Sequence, residues 1–141
     1  MSFLNPDFTD LDEVVKAQKA GRVVALVFVA MNVLGALVVY FADTSLPGMG
    51  TIEDKTGALI GIAAEALFAL FVAWRFHVGK GAFAGSALLL LVLLEILLKI
   101  VGGSIGGIVI LGFLTVGLFH AVRAAFELRS APSPVVADTF E

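Results

Sequence analysis

The sequence predicts an all-α integral membrane protein built as a four-helix bundle, and three observations carry that prediction. Hydrophobic residues fill 60% of the 141 positions, charged residues only 15%, and mean hydropathy is +1.04, values a domain with a water-facing surface does not reach. Four predominantly apolar runs each reach the roughly 20 residues that a helix needs to cross a bilayer. Two of the three connections are only about three residues long, which forces neighbouring helices to pack antiparallel, up-down-up-down.

The spans are expected at about 23–42, 57–78, 82–101 and 105–126. They form one transmembrane domain over 23–128, preceded by a segment over 1–22 and followed by a tail over 129–141. The first run, Val23 to Ala42, is free of charge. It does not read as a secretory signal, because its leading segment is long and carries Asp7, Asp10, Asp12 and Glu13 with no small-residue cleavage pattern after it. Ahead of it, Asp10 and Glu13 are spaced as a capping box, and Leu11, Val14 and Val15 make a modest apolar stripe. That stripe suits either an interfacial helix or a plain extension of the first span. The loop Asp43 to Thr56 is punctuated by Pro and Gly, and its acids lack the spacing of a calcium site. Ser130-Ala131-Pro132-Ser133-Pro134 cannot continue a helix and opens the tail.

Seven of the nine Lys and Arg residues, Lys16, Lys19, Arg22, Arg75, Lys80, Arg123 and Arg129, fall on one side of the expected spans. The bias of such residues toward the cytoplasm predicts that both termini are cytoplasmic, in a multi-pass protein of a cell membrane of the bacterial inner-membrane kind. Tyr40 and Trp74 fall near opposite interfaces, as aromatic anchors do. A formal net charge of −3 is too small to imply a polyanionic partner, and no Lys/Arg cluster suits nucleic acid or an anionic headgroup patch, so nucleic acid is set aside as a partner. Zero Cys removes disulfides and thiolate metal sites, and no metal site is expected.

Three ionisable residues break the apolar pattern. Glu65 lies in the second span, and Glu95 and Lys99 lie in the third. A charge at the bilayer centre costs roughly 2.5–3.5 kcal/mol on insertion scales, so each needs a partner or a purpose. At 1.5 Å per residue, Glu65 falls about 12 Å inside the outer start of its helix and Glu95 about 10 Å inside the outer end of its own, which puts them at matching depth. Glu95 and Lys99 are spaced i,i+4 in the favourable order for an ion pair. Fully ionised, the trio carries net −1, and a single proton, on Glu65 in preference because Glu95 has its own lysine, or a single bound cation makes it neutral. Glu65 also belongs to the row Gly57, Gly61, Glu65, Ala69, Ala73, a small-residue face of the GxxxG type suited to close helix packing.

Other polar residues in the spans are sparse. Asn32 and Thr115 are candidates for interhelical hydrogen bonds near mid-depth. His77 and His120 each follow a Phe on helices two and four and suggest, as a remote reading, a b-type haem held by two imidazoles. No cofactor is otherwise expected. Neither a nucleophile with its base, a metal set nor a phosphate cradle is legible, so an enzyme is disfavoured; one acting on lipid would complete its site across subunits. No internal repeat locates a site.

Two functional classes follow. One is an accessory or structural subunit that packs on other membrane helices, in a larger assembly or a homo-oligomer. The other is an oligomeric transporter or channel handling protons or cations at Glu65 and Glu95, with Lys99 tuning them. The transporter requires its charged faces to meet around a cavity, whereas the subunit requires them sealed or paired with another chain.

Overall fold

A computed structural model describes residues 11–41, 45–46, 50–51, 55–102 and 107–130. Four helices dominate: α1 (Leu11–Phe41), α2 (Lys55–His77), α3 (Ala82–Val101) and α4 (Ile108–Ser130). Each is long and apolar enough to cross a membrane. Between α1 and α2 lies a two-stranded antiparallel hairpin, β1 (Ser45–Leu46) and β2 (Gly50–Thr51), with Ser45 opposite Thr51 and Leu46 opposite Gly50. The acids of the α1–α2 loop, the capping-box Asp10 and the Pro-containing tail lie outside the described residues.

Helix α1 packs on α2 and α4, and α3 packs on α4, while α2 and α3 touch least among the neighbouring pairs. Contacts at one end fix the helix directions. Val14 near the start of α1 packs with Ala124 and Leu128 near the end of α4. Phe76, at the end of α2, meets Gly81 and Gly85 at the start of α3. Phe83 of α3 stacks edge-on with Phe126 of α4, with ring centroids 5.9 Å apart. The start of α1, the end of α2, the start of α3 and the end of α4 therefore share one end of the bundle.

Residues 11–22 do not form a separate element. They continue α1 without a break, and the 31-residue helix is about 46 Å long, more than the ~30 Å hydrocarbon thickness. Val14, Val15, Gln18 and Gly21 of this stretch are buried, so its apolar stripe is covered largely by protein. Helix α4 is displaced from the expected 105–126 to 108–130. Gly107 has φ +82°, a left-handed conformation that a helix interior does not accept, and the Leu111 N–H closes the first turn on the Gly107 carbonyl at 2.9 Å.

The turn from α2 to α3 is a Schellman motif. Gly79 has φ +69°, its N–H donates to the Phe76 carbonyl at 3.2 Å, and the Lys80 N–H reaches the Arg75 carbonyl at 2.9 Å. This stop fixes Phe76, which is 1% exposed, fills the space that a Cβ on Gly81 or Gly85 would need and lies in van der Waals range of Gly21. Gly21 in turn abuts Ala121, and Gly117 of α4 receives Val24 of α1. Small residues thus let α1 and α4 approach closely, the usual basis of helix association in lipid.

Gln18 is fully buried in this packed end. With its amide assigned so that nitrogen faces the Phe76 carbonyl and oxygen the Ala125 N–H, both distances are 3.2 Å, and it ties α1 to α2 and α4. Gln18→Leu keeps the volume and removes both bonds. Its expected cost is about 1 kcal/mol, because the Phe76 carbonyl retains the Gly79 N–H. Reversible unfolding in mixed micelles measures this, and an unchanged midpoint would show that the amide contributes nothing.

Outside the core the helices present Leu67, Leu90, Leu98, Val101, Val109 and Phe113 to their surroundings, all more than 60% exposed. An apolar periphery of this extent is stable only against lipid or other apolar helices.

Candidate functional site

The end of the bundle opposite Phe76 is looser, and the charges gather there. A cavity of about 290 Å³ is lined by residues of all four helices, among them Asn32, Glu65, Glu95, Lys99 and Leu111. Sequence alone put Glu65 and Glu95 at equal depth, and the fold brings both to one cavity. Lys99 Nζ is 3.6 Å from Glu95 Oε1, with the side chains 26% and 32% exposed respectively. That separation is longer than a tight charge-assisted hydrogen bond, and exposed i,i+4 pairs contribute only about 0.3–0.5 kcal/mol. The lysine is therefore only loosely committed to Glu95. Glu65 is half-buried and, among the described residues, makes no ion pair.

The i,i+4 spacing holds Glu95 and Lys99 on one face of α3, and that face turns toward the cavity because Val92 and Leu88, about one and two turns before Glu95, are fully buried. On α2, Glu65 lies one turn from buried Ala69. The expected small-residue face splits at this point. Ala69 and Ala73 are buried, whereas Gly57 and Gly61 are exposed, and a Cβ on Gly61 would meet nothing within 4 Å. Within this chain the close approach of α2 belongs to its Phe76 half.

Asn32 and Thr115 both bond within their own helices. Asn32 Nδ2 donates to the Phe28 carbonyl at 3.0 Å, and Thr115 Oγ1 to the Leu111 carbonyl at 2.8 Å. Asn32 nonetheless lines the charged cavity, and with Ile62 it also lines an apolar groove of about 530 Å³ between α1 and α2.

The two histidines have different surroundings. His77 is exposed at the end of α2, where its Nδ1 lies 3.2 Å from Arg22 Nη1. His120 is half-buried on α4 beside Phe119, the rings 5.8 Å apart. At this level Gln18, Gly21, Phe76 and Ala121 pack against one another.

The fold and the cavity define a class: a four-helix protein whose helices can each span a membrane, with two carboxylates and an amine around one cavity. The chain matches no family model, and comparison with curated proteins and with solved structures finds no match.

Proposed function

We propose that the protein is a small multi-pass membrane protein that handles protons or monovalent cations at the Glu65–Glu95–Lys99 cavity. The observation that carries this reading is the convergence of both span carboxylates on one space, which is what a transporter requires of its charged faces and a sealed structural pair does not. At ~30 Å³ per water molecule, 290 Å³ has room for a partly hydrated monovalent cation. One cation, or one proton, neutralises the trio. In this reading the Lys- and Arg-rich end faces the cytoplasm, as the bias of such residues favours, and the cavity belongs to the exterior half.

The test is flux in proteoliposomes of the purified chain. Driven by a proton or sodium gradient, the wild type should exceed protein-free vesicles, and Glu65→Gln should fall to their level. Equal flux from the two proteins removes the transport reading.

A second reading, the accessory subunit or homo-oligomer, draws on exposed Gly61, where an added Cβ would meet nothing within 4 Å, so that this flank of α2 has room for another helix. Mass determination after gentle solubilisation, with identification of co-purifying proteins, separates an assembly of copies from a complex with other chains.

A further inference from the structure

Cations that are scattered along the sequence meet at the Phe76 end of the bundle. Arg22, which directly precedes the apolar part of α1, Arg75 in the last turn of α2, Lys80 in the following turn and Arg123 on α4 lie closest to the apolar spans. The described acids of this end lie farther out: Asp12 and Glu13 are more than two helical turns beyond Arg22, and Glu127 is one turn beyond Arg123. Asp7, Asp10, Asp138 and Glu141 are farther still along the chain. The layer next to the hydrocarbon is thus cationic and the mixed layer lies outside it, an order that matches a membrane whose phosphates sit at the hydrocarbon boundary.

Two pieces of local geometry sharpen the match. Arg22 Nη1 is 3.2 Å from His77 Nδ1. Arginine offers donors only, so Nδ1 is the acceptor in this contact, and it holds the guanidinium beside the imidazole between α1 and α2. On the other edge the Arg129 guanidinium lies 4.7 Å from the centroid of Phe83, which is itself edge-on to Phe126. Both rings and Trp74 are exposed, so apolar surface adjoins each group of donors.

We propose that this end of the bundle binds anionic phospholipid headgroups, with the Arg22–His77 pair as the phosphate seat between α1 and α2 and Arg129 on Phe83 as a second seat between α3 and α4. An anionic phospholipid joins the two features in one molecule, its phosphate at the donors and its acyl chains on exposed Trp74, Phe83 and Phe126, whereas a soluble anion engages the donors alone. The sequence puts Arg22 and Arg129 on one side of the spans, and only the fold sets them against His77 and Phe83.

The chain has a single tryptophan, Trp74, on α2 three residues before His77, and it reports directly on the first seat. In vesicles of phosphatidylcholine with a minor share of phosphatidylglycerol, brominated acyl chains are carried on one lipid or the other. Per mole, brominated phosphatidylglycerol should quench Trp74 about fivefold more strongly for each cation it engages. Arg22→Gln should lower that excess about fivefold, and Lys55→Gln, at the opposite end, should leave it unchanged. In the wild type, independently of any variant, the excess should vanish near 1 M salt, where the Debye length is about 3 Å. Equal quenching by the two lipids, an excess that survives Arg22→Gln, or one indifferent to salt each overturns the proposal.

Discussion

Phe76→Ala should lower the stability of the bundle by about 2–3 kcal/mol, the largest loss expected from a single truncation in this chain. Phe76 is 1% exposed and occupies the meeting point of Gly21 of α1, Gly81 in the turn before α3 and Gly85 of α3. Phe→Ala in soluble cores costs about 3–5 kcal/mol, made up of lost transfer from water and a residual cavity. In a membrane the transfer part shrinks, because the separated helices still bury the ring in lipid. Lost dispersion contact remains. The surrounding glycines have no side chains with which to refill the space, so little relaxation is available. Unfolding in mixed micelles, followed by helical circular dichroism, measures the effect. Phe71→Ala removes a ring that is 47% exposed on the same helix, and it should shift stability by less than about 0.5 kcal/mol. Comparable losses from both substitutions would mean that Phe76 packs no more specifically than a lipid-facing ring.

This difference between two phenylalanines on one helix shows where sequence reading stops. The spans were legible because about 20 consecutive apolar residues have few other uses. The charged cavity was legible too, since Glu65 and Glu95 stand out against their neighbours and depth follows from helical rise. Phe76 and Phe71 are indistinguishable by composition, and only the Schellman stop at Gly79 and the glycines of α1 and α3 give the former its role. Gln18 stands between Lys16 and Lys19 with nothing in the sequence to mark it, and it is buried because α1 extends past the expected start of the span and packs there on α2 and α4. The GxxxG pair Gly57 and Gly61 drew attention that the α1–α4 seam merited more. That seam is written as Gly21-x-x-x-Ala25 on one helix and Gly117, Ala121 and Ala125 at steps of four on the other. Small residues are frequent in membrane helices, so spacing alone does not say which pairs find a partner.

The bundle is consequently asymmetric along its axis, and the asymmetry bears on function. Glycine contacts, a buried amide and a capped turn lock one end, while the other encloses space. Because α2 and α3 touch least of the neighbouring pairs and carry the two glutamates, a change of spacing between them alters the cavity with little disturbance to the packed end. Motion of this kind would let the carboxylates gain and lose access to water while the helices remain joined.

Substitutions that change charge at the cavity should act in opposite directions, and this is the decisive expectation for the proposed site. Lys99→Met makes the formal charge of the cluster more negative, from −1 to −2, and Glu65→Gln brings it to zero. A unit charge about 6 Å from a bound cation contributes roughly 3 kcal/mol at an effective dielectric of 20. Side chains a quarter to a third exposed are partly screened, so about half of that is retained, which is roughly tenfold in affinity. The half-saturating cation concentration for flux should therefore fall about tenfold in Lys99→Met and rise by at least as much in any activity left to Glu65→Gln. Interhelical glue behaves otherwise: losing Lys99 would cost at most about 1 kcal/mol of stability and leave cation dependence untouched. Measured side by side in proteoliposomes, with unfolding midpoints for the same variants, opposite shifts in half-saturation support the cation site. A stability change without them reduces the cluster to a structural ion pair.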